Sequence, residues 1–99
     1  MLNTETNLKG AELTILLSGR LDTNTAPQLE SVLKDSLNAI DRLVLDMKEL
    51  EYISSAGLRV VLSAQKTMNR QGEMIIKNVA NEVQEIFDVT GFSDILTIE

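Results

Sequence analysis

A chain of 99 residues is long enough for one hydrophobic core, and hydrophobic residues make up 43% of it. The absence of cysteine and histidine excludes disulfides, Cys/His zinc sites and any Ser–His or Cys–His catalytic pair. Fifteen acidic against nine basic side chains give a formal charge of −6, which disfavours binding to nucleic acid and favours a basic protein partner. We expect a single domain over residues 1–99, without a cofactor or a bound metal ion.

The start of the chain has the pattern of a β-hairpin. Residues 12–17 are dense in apolar and β-branched side chains, which is typical of a strand, and Ser18-Gly19 is predicted to end it. The Lys9-Gly10 pair predicts a turn before this strand, so residues 2–8 are expected to form a short edge strand.

Helices and strands then alternate. Thr25 is a suitable helix cap, and Pro27 lies where a first-turn proline is tolerated. Apolar residues follow at the spacing of one buried helical stripe: Ala26, Leu29, Val32, Leu33, Leu37 and Ile40. The later segments are predicted as a strand (42–47), a helix (57–70), a strand (74–77), a helix (81–90) and a short closing strand (95–98). This order predicts an α/β fold: a mixed sheet of four to five strands with an N-terminal hairpin and helices packed on it.

No apolar run approaches the length of a membrane span. The first residues also lack the basic and apolar regions of a signal peptide. We therefore expect a cytoplasmic protein that does not bind membranes.

The segment from Tyr52 to Leu58 joins a buried strand to a helix, and it contains Ser54 and Ser55. The first N–H groups of a helix have no partner inside the helix, so a hydroxyl or an anion at its entrance can accept from them. One interpretation is that both serines are caps and nothing more. The other is that Ser55 accepts a phosphate, which would add about −1.5 to −2 charge to a surface that a partner could touch.

Four motifs in register resemble the STAS family, specifically the bacterial anti-sigma-factor antagonists. The run Tyr52-Ile53-Ser54-Ser55-Ala56-Gly57-Leu58 is similar to the family signature of an aromatic, an apolar residue, Asp, Ser, Ser or Thr, Gly and Leu. The other three resemble the family's first loop, its Gly-containing strand entry and its last helix end: residues 18–26, 72–74 and 86–92. The resemblance spans nearly the whole chain.

The resemblance implies a partner switch. In the family, the first serine of the signature is phosphorylated by a cognate anti-sigma factor that is also a serine kinase, and that serine corresponds to Ser55. The unphosphorylated form binds the kinase, the phosphorylated form does not, and a PP2C-type phosphatase resets the switch. We expect the free protein to be a monomer and not an enzyme.

The chain departs from the family signature at two positions. Ser54 stands where the family has Asp, which removes a negative charge, and Ala56 leaves Ser54 and Ser55 as the two possible acceptors. The small residues Ala56 and Gly57 are expected to let a partner approach closely. The partner-binding residues predicted from this region are Asp22, Thr23, Ser54, Ser55, Ala56, Gly57 and Arg59.

Several of these residues also have a purely structural interpretation. Asp22 could contact the kinase or only close an Asx turn, and Arg59 could contact a partner or only be solvated. For the whole chain, the alternative is a STAS scaffold module without phosphorylation control. A hydrolase with Ser55 as nucleophile is disfavoured, because no histidine is present and only one glycine flanks the serine. We find no Walker-type phosphate loop, so a nucleotide site is expected in the kinase.

Overall fold

The computed structural model describes the whole chain, Met1–Glu99. Four strands form one sheet in the order β1-β2-β3-β4, with β1 antiparallel to β2 and the other neighbours parallel. The elements are β1 (Leu2–Lys9), β2 (Glu12–Leu21), α1 (Ala26–Ser36), β3 (Arg42–Ile53), α2 (Ser55–Gln71), β4 (Glu73–Lys77) and α3 (Asn81–Thr90), with 3₁₀ turns at Leu37–Ala39 and Phe92–Asp94. The predicted hairpin, mixed sheet and alternation of helices with strands are confirmed.

The second strand is longer than predicted. Ser18-Gly19 does not end β2, which continues to Leu21. The parallel pairing with β3 shifts register between Leu16 and Ser18 and again between Gly19 and Arg20. Gly19 has φ 95°, and a Cβ there would lie 2.0 Å from the Met1 carbonyl oxygen. The glycine therefore marks an irregularity inside the strand, where only a residue without a side chain fits.

All three helices pack against one face of the sheet. Leu29 of α1, Val61 of α2 and Phe87 of α3 are each 0% exposed and belong to one hydrophobic cluster of 25 residues. Alternate residues of the strands contribute the other side of this cluster: Leu13, Ile15 and Leu17 of β2, Leu43, Leu45 and Met47 of β3, and Met74 and Ile76 of β4. The alternation follows from the two-residue period of a strand, so one sheet face supplies the core.

The opposite face of the sheet carries no helix. Val44 and Ile75 are buried there but lie outside the main cluster, and Leu16 is 41% exposed. The pairing register places Glu12, Arg42 and Glu73 side by side across three strands. The guanidinium of Arg42 lies 3.1 Å from Glu12 and 2.9 Å from Glu73, so alternating charges line this end of the open face.

The predicted closing strand does not form. The chain after α3 makes a 3₁₀ turn and then a single parallel bridge from Ile98 to Ile76. The Ile76 N–H donates to Thr97 O at 2.9 Å, and its carbonyl accepts from Glu99 N–H at 2.8 Å. This short contact covers part of the β4 edge without adding a strand. No helix has the length and apolar character needed to cross a membrane.

The turn between α2 and β4 depends on Gly72. A Cβ at this position would lie 1.8 Å from the Asp41 carbonyl oxygen, which also accepts the Glu73 N–H at 3.0 Å. We expect Gly72→Ala to lower the free energy of unfolding by about 2 kcal/mol, because backbone must move to admit the methyl group. Urea denaturation measures this, with Ser31→Ala on the exposed face of α1 as the matched control. A Gly72→Ala protein as stable as the control would contradict the close approach.

Candidate functional site

The entrance to α2 lies beside the end of β2. Ile53 is the last residue of β3, Ser54 is the helix cap with φ −96° and ψ 175°, and Ser55 is the first helical residue. The Ser54 N–H donates to Leu21 O at 2.8 Å, and the Ser54 hydroxyl oxygen accepts from Gly57 N–H at 3.3 Å. The Ser54 N–H therefore ties the helix start to the neighbouring strand, and its hydroxyl caps the first turn.

Ser55 is the exposed serine of the pair. Its side chain is solvent-accessible, whereas Ser54 is half-buried. The Ser55 hydroxyl takes part in none of the side-chain hydrogen bonds of the molecule, so its oxygen is both exposed and unengaged. The helix begins at Ser55, two residues earlier than predicted, which places this hydroxyl in the first turn, where backbone N–H groups lack intrahelical partners.

Gly57 has a different role from the one predicted. It is buried, so it does not open the surface to a partner. A Cβ on Gly57 would lie 2.7 Å from Leu21 Cγ, 2.9 Å from Ile53 Cγ1 and 3.0 Å from Leu21 O. The missing side chain lets the first turn of α2 pack directly on the ends of β2 and β3. Of the two small residues, only the half-buried Ala56 borders the surface.

The loop before α1 is closed by Asp22. Its Oδ1 accepts from Asn24 N–H at 3.0 Å and from Thr25 N–H at 3.1 Å, which is the Asx turn that the sequence predicted as one role for this residue. The Thr25 hydroxyl accepts from Asp22 N–H at 2.9 Å and donates to Arg20 O at 2.8 Å. Thr25 occupies the cap position of α1 but makes no capping bond with its side chain, because its hydroxyl is used inside the loop.

The hydrogen bond from Thr25 N–H holds the pKa of Asp22 below its ordinary value of 3.8, since it stabilises the charged carboxylate. Desolvation acts in the opposite direction and is the smaller effect. Asp22 is therefore ionised at neutral pH, with its charge directed at its own loop.

Three of the predicted contact residues meet in a shallow cleft between α1 and α2. Thr23, Ala56 and Arg59 line it together with Ala26, Pro27, Glu30 and Val60, and its volume is about 220 Å³. This cleft joins the first loop to the first turn of α2. Ser54 and Ser55 do not line the cleft, but they directly precede Ala56 at the start of α2. Gly57 is buried, and the Asp22 carboxylate turns back into its loop.

Sequence reasoning assigned no role to the pair Arg20 and Tyr52. The Arg20 guanidinium carbon lies 4.4 Å from the centre of the Tyr52 ring, and the two residues are partners across β2 and β3. Such a cation–π contact is worth about 0.5–1 kcal/mol at an exposed site. Arg20 lies two positions before Asp22, and Tyr52 lies two positions before Ser54. This equal spacing at the ends of two parallel strands is the sequence feature from which the contact could have been predicted.

The different roles of the two serines give a stability prediction. We expect Ser54→Ala to lower the free energy of unfolding by about 1 kcal/mol, because the Gly57 N–H loses its acceptor. Ser55→Ala should change it by less than about 0.5 kcal/mol, since no partner is lost. Urea denaturation of the two variants compares a capping with a non-capping hydroxyl one residue apart. Equal effects of the two substitutions would argue against this division.

The lowered pKa of Asp22 predicts an acid-dependent contribution to stability. A depressed folded-state pKa stabilises the fold above the unfolded value of 3.8, and this stabilisation is lost as pH falls through the lower folded value. Asp22→Asn keeps an acceptor oxygen but cannot ionise. The difference in unfolding free energy between wild type and Asp22→Asn should be largest at neutral pH and should shrink at about pH 3. A difference that is the same at both pH values would contradict this assignment.

Comparison with known proteins gives the family. The STAS domain profile matches residues 3–99. BtrV of Bordetella bronchiseptica is 39% identical over 84 residues, covering 83% of this chain and 72% of that protein. The anti-sigma-B factor antagonist of Listeria monocytogenes is 32% identical over 88 residues, covering 86% and 76%. The crystal structure of an anti-sigma factor antagonist from Mycobacterium paratuberculosis superimposes with a TM-score of 0.90 at 18% identity, covering 99% of this chain and 85% of that one. The chain belongs to the STAS domain family.

Proposed function

We propose that this protein is an anti-sigma-factor antagonist whose binding to its partner is controlled by phosphorylation of Ser55. The observation that carries the proposal is the exposed, unbonded Ser55 hydroxyl at the first residue of α2, beside a second serine whose oxygen is already engaged. The position matches the phosphoacceptor of the family signature. A 32% identical relative that is an anti-sigma-B factor antagonist supports the same function.

In the unphosphorylated state, the surface around Ser55 binds the anti-sigma factor. Residues 54–58 carry no charge, and Thr23 and Ala56 border the adjoining cleft. A partner that docks here covers an uncharged helix start and the two charged side chains that line the adjoining cleft, Arg59 and Glu30. Occupation of the anti-sigma factor by this protein leaves the sigma factor free.

Phosphorylation uses the partner's kinase activity, with ATP as the phosphoryl donor. A bond forms between the Ser55 hydroxyl oxygen and the γ-phosphorus, and the bond from that phosphorus to the β–γ bridging oxygen breaks. ADP leaves, and the hydroxyl proton passes to a base of the kinase or to water. The product carries about −1.5 to −2 additional charge at the centre of the docking surface, so binding is lost through repulsion and desolvation.

The geometry favours Ser55 over Ser54 as the acceptor. Phosphorylation of Ser54 would modify an oxygen that accepts the Gly57 N–H, on a residue whose own N–H is bonded to Leu21. A kinase that modifies Ser54 would have to act on a half-buried hydroxyl that already caps the helix. Modification of Ser55 leaves these bonds in place.

The remaining parts of the switch lie in other proteins. A PP2C-type phosphatase would remove the phosphate, and the ATP site belongs to the kinase. Because the cycle consumes ATP, we place it in the cytoplasm, with the antagonist as a monomer between encounters. The substitution of the family's Asp by Ser54 favours one alternative, a STAS scaffold whose contacts are not switched by phosphate.

The test is binding to a candidate anti-sigma factor of the histidine-kinase-like ATPase class, to be sought first among the genes that flank this one. We expect Ser55→Asp to weaken binding at least tenfold, about 1.4 kcal/mol, because an unpaired carboxylate enters the contact surface. Ser55→Ala should bind as wild type does and should gain no phosphate. Isothermal titration measures the affinities, and mass spectrometry after incubation with ATP measures the modification.

Ser54→Ala is the matched control, and it should still be phosphorylated on Ser55. Phosphopeptides that contain only modified Ser54 would refute the acceptor assignment. Equal affinity of wild type and Ser55→Asp, together with no mass shift in wild type, would support the scaffold alternative.

A further inference from the structure

Arg59 lies one helical turn after Ser55. Both residues are exposed and belong to α2, and their separation of four places them on the same side of the helix. Side chains with this spacing have Cβ atoms about 5–6 Å apart. A guanidinium at this position reaches a group attached to the Ser55 oxygen without any change of the backbone.

The Arg59 side chain is uncommitted in the unmodified protein. The ion pairs of the molecule involve Arg42 with Glu12 and Glu73, and Lys77 with Glu99. Arg59 forms none of them, and it donates no side-chain hydrogen bond. It borders the cleft that also contains Glu30 of α1, without reaching ion-pair distance of that carboxylate.

Other cations near the site are held or lie elsewhere. Arg20 is stacked on Tyr52 at the ends of β2 and β3. The next cations along α2, Lys66 and Arg70, follow Ser55 by eleven and fifteen residues, which places them about two and about three turns beyond Arg59. Arg59 is therefore the cation best placed to meet a charge on Ser55.

We propose that, once Ser55 carries a phosphate, the Arg59 guanidinium binds that phosphate within the same chain and withdraws from the cleft beside Thr23. This inference rests on the proposed function, in which Ser55 is the modified residue. Guanidinium and phosphate form short, charge-assisted and often bidentate hydrogen bonds. Pairing with a dianion on the same helix face is stronger than with the Glu30 carboxylate across the cleft, because no new closure of α1 on α2 is needed.

The consequence is a switch with two components. Phosphorylation adds negative charge to the docking surface, and it also removes the one cation that borders the cleft. A partner that uses Arg59 as a contact loses this contact at the same moment. Pairing within the chain also partly neutralises the phosphate, and repulsion by the phosphate is then weaker. The loss of Arg59 from the cleft therefore accounts for part of the lost affinity.

The experiment measures the second ionisation of the phosphate by ³¹P NMR in the full chain. Phosphoserine is installed at position 55 during translation, so no kinase is required. The reference is the chain with phosphoserine at position 55 and Arg59 unchanged. Relative to it, we expect Arg59→Gln to raise the pKa of this phosphate by about 0.3 unit or more, because the dianion loses its cation. Arg59→Lys should retain part of the effect, since charge remains but the planar fork is lost.

Two controls separate this pairing from general electrostatics. Arg20→Gln removes an equal charge near the site and should leave the phosphate pKa unchanged, because Arg20 is held over Tyr52. Glu30 lines the cleft, Asp22 lies in the adjoining loop with its carboxylate directed at that loop, and Tyr52 lies under Arg20; all three are the same in every variant. In concentrated urea the difference between native and Arg59→Gln should vanish with the helix.

The outcomes are decisive. An unchanged phosphate pKa in Arg59→Gln, or an equal rise in Arg20→Gln, would overturn the proposal. Because the phosphate is introduced without a kinase, an Arg59-dependent pKa in a chain that the anti-sigma factor bound by it never phosphorylates would refute the proposed function and leave this pairing intact. Circular dichroism of each variant verifies that α2 is formed.

Discussion

The contact between the end of β2 and the start of α2 is the constraint on which the site depends. Leu21 provides it twice, since its carbonyl accepts the Ser54 N–H and its side chain packs where Gly57 has no Cβ. Because β2 and β3 run parallel, their carboxyl ends meet at the same edge of the sheet, and the loops that follow them must lie together. The Asp22 loop and the serine segment form one surface for this reason.

This arrangement divides the work among neighbouring residues. Ser54 and Gly57 are structural, because one caps the helix and the other lets it pack on the sheet. Ser55 and Arg59 lie on the outer side of the same two turns and make no bond that the fold requires. Because Ser54 and Gly57 hold the helix start against the sheet, a large change of charge on its solvent-exposed side can occur without unfolding it. The residues that fix the helix start and the residues that remain unengaged thus lie next to one another in one short segment.

The architecture was predictable because local patterns agree with it. The turn residues of the hairpin, the helical stripe beginning at Ala26 and the alternation of elements all indicated the sheet and its helices. The errors came from interactions between distant residues. A glycine such as Gly19 is typical of a strand end. Only its close approach to Met1 and the register shift against β3 show that it is an irregularity inside a strand. The segment 95–98 has strand-forming residues but makes only one bridge to β4, at Ile76.

The local structure of the candidate site was predicted in part for the same reason. Family resemblance gives Ser55 as the candidate acceptor, and the helix-cap pattern correctly predicted that Ser54 caps the helix. The role of Gly57 could not be read from a small residue beside a hydroxyl, because it depends on the positions of Leu21 and Ile53 in space. The stacking of Arg20 on Tyr52 likewise requires the pairing of β2 with β3. Both features are long-range, and a motif contains no information about them.

The charge around Ser55 connects the fold to the proposed switch. With Ser54 in place of the family's Asp, no carboxylate lies immediately before the acceptor, and the first two turns of α2 contain one ionisable residue, Arg59. The unmodified helix start is therefore neutral to cationic in an acidic protein of formal charge −6. Attachment of a phosphate reverses the local sign as well as increasing its magnitude. A partner can recognise this surface because its charge differs from that of the acidic remainder of the molecule, and phosphorylation removes this difference. A change of charge elsewhere on the acidic surface could not have this effect.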